Sequence, residues 1–192
     1  MFYTLSLLAF ACKKEELPPI EPITPIVSPI YIPIYQPGDT SMAAAYANKL
    51  TAFWRADTYC KKSFSDSTKL ILHFYTYTAD GSRRESVGFG PFSKNGIGTY
   101  KLSIATTSIV PPNEALTVYA TWASDGDLLE DYYFLDSTDL KNRLVITKLD
   151  LPNKRVEGSF HVSYNIQEPR YSARNPKKVT FSKGRFWAAI RD

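Results

Sequence analysis

The stretch Thr68-Lys69-Leu70-Ile71-Leu72-His73-Phe74-Tyr75-Thr76-Tyr77-Thr78 decides the fold class. Leu70, Leu72 and Phe74 fall on one side of an extended chain, and Ile71, His73, Tyr75 and Tyr77 on the other. A period of two marks a strand, because successive side chains of a strand point to opposite faces. The run ends at Asp80-Gly81, a pair that accepts the positive φ of a tight hairpin turn.

Working outward, the same reading predicts a strand over 48–55, reaching on to 62, and another over 84–89. A loop at Pro91 and a turn at Asn95-Gly96 follow. A strand over 98–104 puts Tyr100, Leu102 and Ile104 on one face, and one over 116–123 puts Val118, Ala120 and Trp122 together. Asp125-Gly126 turns the chain again, and further strands are predicted over 131–135, 143–149 and 155–164. The last pair is 177–182 and 185–191, split at Gly184. Helical periodicity is weak, and only 41–50 suits a short helix. Nine or ten strands with short connections predict an all-β domain, either an antiparallel β-sandwich or a flattened up-and-down, lipocalin-like barrel.

Composition agrees. Of 192 residues, 44% are hydrophobic and 22% charged, near the globular average, which excludes wholesale disorder. Aromatics reach 14%, with 13 Tyr and 11 Phe, a bias towards strands. No apolar run approaches the ~18 residues of a membrane-spanning helix. The formal charge of +4 is unevenly spread: residues 141–192 carry +8 and the first 140 carry −4. A basic C-terminal third suits anionic lipid or glycan, against the commoner reading of a solvated strand face. The two cysteines, Cys12 and Cys60, are too few for a disulfide framework or a four-ligand zinc site.

Residues 1–11 form a short apolar stretch ending in small residues, directly before Cys12. The stretch is too short to cross a bilayer and resembles a bacterial lipoprotein signal peptide, which implies an acylated Cys12 as first residue of the mature protein. Cys12-Lys13-Lys14-Glu15-Glu16 resembles the export signal of Bacteroidota lipoproteins, a lysine followed by acidic residues just after the lipidated cysteine. That resemblance implies an outer-membrane, surface-exposed location, with a periplasm-facing anchor as the alternative. Several acyl chains on one cysteine hold a protein stably where one chain does not. Residues 12–43 then read as lipidated cysteine and tether: seven of the chain's 13 prolines lie between Pro18 and Gly38. Proline fixes φ and removes a donor, so an extended spacer is expected, about 60 Å over about 20 residues at ~3.1 Å each. Residues 44–192 read as a single all-β domain.

The C-terminal motifs Gly158-Ser159-Phe160 and Gly184-Arg185-Phe186, with Gly98-Thr99-Tyr100 and Ile146-Thr147-Lys148-Leu149-Asp150 upstream, resemble a Bacteroidota lipoprotein family of unknown function. The resemblance spans roughly 48–190 and implies location and fold, with no activity to carry over.

Chemistry-bearing residues are few. His73 and His161 are the only histidines, and no nucleophile-elbow motif accompanies them. A small extracytoplasmic hydrolase centred on His161 or Cys60 is one alternative; the more ordinary reading gives both structural roles. Asp125, Asp127, Glu130 and Asp131 gather four carboxylates without EF-hand spacing, so a solvated turn is expected and no metal. No phosphate-cradling glycine loop occurs, so no cofactor is expected. Binding is the stronger reading. If Phe186, Ala188 and Ile190 are core, Trp187 faces outward between Arg185 and Arg191, and Arg170, Tyr171 and Arg174 in the preceding loop 169–178 have the same aromatic and cationic flavour. The sequence therefore predicts a non-enzymatic binding or scaffolding domain, with the membrane as partner through its anchor and a glycan or envelope protein as ligand. Nucleic acid is not expected outside the cell.

Overall fold

The structure, a computed structural model, describes residues 43–93, 95–104 and 110–191. The signal segment 1–11, Cys12 and the tether up to residue 42 lie outside the described residues. The domain is all-β. Its strands are β1 (Ala44–Lys49), β2 (Ala52–Lys62), β3 (Lys69–Tyr77), β4 (Arg83–Ser93), β5 (Gly98–Ser103), β6 (Glu114–Trp122), β7 (Leu129–Leu135), β8 (Arg143–Asp150), β9 (Arg155–Ile166) and β10 (Lys178–Arg191).

The pairings close on themselves. β1–β2–β3–β4–β6–β7–β9–β10 forms a circuit that returns to β1, and β5–β8 bridges β6 to β9 beside β7. An eight-strand circuit encloses just enough room for side chains to fill. Rings from opposite walls meet inside: Phe74 of β3 lies 5.2 Å from Phe160 of β9 and 5.5 Å from Phe186 of β10. Trp54 of β2 and Tyr119 of β6 pack on Phe181 of β10 at 4.8 and 5.4 Å. Burying each such ring contributes about 1.5–3 kcal/mol.

The order departs from simple up-and-down topology. β4 pairs with β6 rather than β5, and two ladders are parallel, β5–β6 and β10–β2. The second parallel ladder arises because β1 is a wedge. It separates β10 from β2 up to Ala44, beyond which Ala189–Arg191 and Tyr59–Lys61 pair directly. The described chain enters at this upper end, where Thr58 N donates to Ala43 O. Strand directions put the connections 50–51, 78–82, 123–128 and 167–177 at the opposite, basal end.

Several local expectations are corrected. The helix over 41–50 is β1 from Ala44 onward: pairing on both edges outweighs alanine's helix propensity. The single strand over 48–55 is two, turned at Leu50 (φ 56°). Pro91 lies within β4 rather than a loop. It falls where the β3–β4 register shifts and above the last β4–β6 pair at Phe89, and such irregularities are where strands accommodate proline. On β6 Val118, Ala120 and Trp122 share one face as expected; it is the outer one, and the inward set is Ala115, Thr117, Tyr119 and Thr121, all buried. The polar atoms of the inward set have partners: Thr117 Oγ1 donates to Gly88 O at 2.9 Å and Tyr119 OH to Glu85 at 2.7 Å. The strands 177–182 and 185–191 are one, β10, carrying a bulge at Lys183 (φ 54°).

That bulge brings the glycine motifs together. Gly184 lies opposite Phe160, and Gly158 opposite Phe186. Each Gly-x-Phe triplet gives up a side chain where the other triplet's ring crosses the interior. A Cβ on Gly184 would sit 2.6 Å from the Phe160 ring; one on Gly158 would sit 2.0 Å from Val145 O.

Glu85 points into the basal mouth of the barrel. Its carboxylate accepts from Lys49 Nζ, from Trp54 Nε1 at 2.7 Å and from Tyr119 OH. Burial pushes this carboxyl up, but the charge of Lys49 and the three donors outweigh it and leave its pKa below the ordinary value.

Candidate binding surface

The outer face of β2 and β3 carries a stack of rings. Cys60, Leu72 and Phe74 point into the core, so Tyr59, His73 and Tyr75 point out. Tyr59 is opposite His73 in the ladder. Their rings stack at 5.0 Å, Tyr59 stacks on Tyr75 at 5.6 Å, and His73 lies 5.8 Å from Tyr75 with the planes 5° apart. Tyr77 continues the row at 6.3 Å. The Tyr59 and Tyr75 hydroxyls share a hydrogen bond of 3.2 Å.

Arginines extend the stack at both ends. The Arg191 guanidinium lies over Tyr59 at 5.1 Å. The Arg83 guanidinium sits between Tyr75 (4.7 Å) and Trp122 (4.8 Å). By alternation Arg83 would share the inward face of Glu85; a register shift between Thr76 and Tyr77 carries it outside. Trp122 is fixed by its indole N–H, which donates to Ser86 Oγ at 3.2 Å. Among the described residues neither Arg83 nor Arg191 has an acidic partner, nor does Lys61, which covers Phe64. Nearby cations do: Arg55 with Asp57, the cross-strand neighbour of Tyr75, at 3.6 Å, and Arg155 with Glu157 at 2.8 Å. Burial, then the charges of Lys61 and Arg83, lower the His73 pKa to about 4, so the ring in the stack is neutral at neutral pH.

At the basal end the stack runs into a cleft of about 490 Å³ lined by Tyr77, Arg83, Trp122, Asp80, Asp125 and Asp127. The turns 78–82 and 123–128 form it, and they touch: a Cβ on Gly126 (φ +75°) would meet Arg83 N at 2.6 Å.

The structure separates the sequence-predicted ligand residues. Arg185, Trp187 and Arg191 lie along the outer face of β10, whereas Arg170, Tyr171 and Arg174 lie in the basal loop. From Lys178 to Trp187 is nine residues of strand, roughly 30 Å at ~3.3 Å each. Trp187 does face outward, but its cation is Arg155, at 4.8 Å. Arg170 is tied within its own loop, donating to Asn175 O at 3.1 Å, while Tyr171 is 83% exposed. The acidic residues also divide. Asp131 is buried and accepts from Tyr171 N (2.7 Å), Ser172 N (3.2 Å) and Asn175 Nδ2 (2.7 Å), so it pins the basal loop. Glu130 shares Asn175, and Asp125 accepts from Asp127 N. Among the described residues no three His, Cys, Asp or Glu side chains are placed to hold a metal ion.

The residues on which a hydrolase would centre lie on different strands, Cys60 on β2 and His161 on β9. Cys60 is in the core, and burial pushes its thiol up to about 12. Ser163 is buried under the connection 136–142 and donates to Asp139 Oδ2 at 2.6 Å; His161 Nε2 meets the same oxygen at 3.1 Å.

Of the ring stack, sequence reasoning had the alternate set on β3 and Arg191, which it grouped with Trp187 rather than with Tyr59. Tyr59, Arg83 and Trp122 were missed as partners because cross-strand register and a bulge join them. No family model matches the chain, and neither curated proteins nor solved structures give a match.

Proposed function

We propose that this chain is a lipid-anchored protein of the bacterial cell envelope, held through Cys12, whose β-domain binds a saccharide at the cell surface and performs no catalysis. The observation that carries the binding reading is the outer stack Arg191–Tyr59–Tyr75–Arg83–Trp122. Ring faces suit the C–H faces of sugars, and guanidinium edges donate to hydroxyl and acid groups. The interior supports this over carriage of an apolar ligand, because rings fill it. The anchor rests on the lipoprotein-like sequence ending at Cys12 and the Lys-Glu run after it.

Two experiments test the reading. Palmitate labelling of cells should mark the wild type and not Cys12→Ala, and protease added to intact cells should release the domain. Label on both forms, or protection until lysis, overturns the surface anchor. On a glycan array, full-length protein should bind at least one saccharide class, and Tyr75→Ala with Trp122→Ala should lose it. Equal signals for wild type and the double variant overturn the assignment of the surface.

A further inference from the structure

Resting on that saccharide reading, we infer that the occupant of the ring stack is an acidic polysaccharide, with Arg83 and Arg191 selecting its carboxylate or sulfate groups. Charge carries the inference. Arg83, Arg191 and Lys61 line the stack without an acidic partner among the described residues, while the one acid on the stack's β2 side, Asp57 opposite Tyr75, is neutralised by Arg55, and Arg155 is paired with Glu157. A guanidinium over a ring face still carries N–H groups beyond the ring; the Arg83 Nε is buried, so its two terminal amino groups are the donors that would meet a planar carboxylate or a sulfate. The rings between the two arginines offer neutral faces, since burial and neighbouring cations hold His73 uncharged. Cation, ring, cation is the pattern a uronate or sulfated chain presents in reverse: anion, sugar face, anion.

The basal acids give the site a boundary. Asp80, Asp125 and Asp127 stand in the cleft just beyond Arg83 and Trp122 and repel a polyanion there. The chain therefore runs from Arg83 towards Arg191 and Lys61, and stops at the turns. Lowering that fence should strengthen binding.

The test uses the full-length protein in detergent, titrated calorimetrically. The probes are polygalacturonate, alginate and chondroitin sulfate, each beside its neutral esterified or desulfated form. Binding to an acidic polymer, absence of binding to its neutral form, and weakening with added salt are expected. Arg83→Gln and Arg191→Gln should each weaken it about tenfold, the value of one charge-assisted contact. Asp127→Asn, on an exposed turn, should raise the affinity, and a lowered affinity overturns the boundary. The salt titration uses wild type alone, so it stands even if an arginine variant misfolds. Equal affinity for acidic and neutral forms overturns the acidic selection and leaves the saccharide reading intact. No binding to any acidic polymer, with a neutral glycan bound on the array, does the same. No binding on either assay overturns both.

Discussion

Replacing Gly184 with alanine should destabilise the domain through one ring, and removing that ring should restore much of the loss. The added Cβ would lie 2.6 Å from Cδ1, Cε1 and Cζ of Phe160, against about 3.5–4.0 Å for ordinary carbon contact. Phe160 has nowhere to tilt, because Phe74 and Phe89 hold it at 5.2 and 5.6 Å. Overpacking of this kind costs about 1–3 kcal/mol, and three overlapping ring carbons put Gly184→Ala in the upper half of that range. Phe160→Leu alone should cost about 1–2 kcal/mol, below the ~3–5 of full truncation to alanine. In the double variant the new methyl enters space the ring has left, so the two losses should fall short of their sum by about 1–2 kcal/mol. The partner glycine provides the contrast. A Cβ on Gly158 would meet the Val145 carbonyl oxygen at 2.0 Å as well as the Phe186 ring at 2.8 Å. Removing the ring leaves the backbone clash in place, so Gly158→Ala and Phe186→Leu should be nearly additive. Urea unfolding followed by tryptophan fluorescence reads both cycles, with midpoints compared at a shared m value. Additivity within about 0.5 kcal/mol for Gly184 and Phe160, or equal coupling in the two cycles, would refute the reciprocal packing.

Glu85→Gln should destabilise by about 3–5 kcal/mol, because it strands the Lys49 charge in the barrel mouth; Glu85→Gln combined with Lys49→Met should recover part of that loss in the same urea assay. Acid should loosen the connection 136–142. The Lys178 and Thr138 donors hold the Asp136 carboxyl down to about 2, and Ser163, Lys141 N–H and His161 hold Asp139 down to about 2. Depressed carboxylates stabilise above their ordinary pKa of about 4 and lose that stabilisation as pH falls towards 2, so wild type should weaken across this window while Asp136→Asn with Asp139→Asn stays flatter. Asp131→Asn should speed hydrogen exchange at Tyr171 and Ser172 at least several-fold, with the β9–β10 core amides unchanged; unchanged exchange at both loop amides would show the clamp is unnecessary.

The fold class was legible because alternation survives wherever one face is buried. On β3 the inner set is Leu70, Leu72 and Phe74, as its pattern says. On β6 it groups Val118, Ala120 and Trp122 on one face without marking which face is core, since both are apolar enough. Val118 and Trp122 look more hydrophobic than Thr117 and Thr121, yet the threonines go inside because Gly88 O and Asp131 N accept or donate there. Strand ends were misread where a bulge or a wedge intervenes: Lys183 keeps β10 continuous, and β1 takes an alanine-rich segment into the sheet. The candidate surface was half visible. Tyr75 and Tyr77 announce an outward aromatic row, but that Arg83 lies between Tyr75 and Trp122 depends on a register shift with no sequence signature.

On the binding reading, the outward row of β3 is the feature that needs a reason. A strand that merely faces water is served by Thr, Lys or Glu, whereas β3 presents Ile71, His73, Tyr75 and Tyr77. Half of an explanation is that rings bury one another and so reduce exposed apolar area. That half leaves the arginines unexplained, because a ring stack needs no cation at its ends. A guanidinium held between Tyr75 and Trp122 has already given up much of its rotamer freedom, about 2 kcal/mol for a free arginine. Ordering a side chain is part of the cost of association, and a site that is ordered beforehand spares its ligand that cost. Arg83, which has no acidic partner among the described residues and little freedom left, is on that reading preordered for an anion from outside the chain, and Arg191 over Tyr59 repeats the arrangement at the other end of the stack.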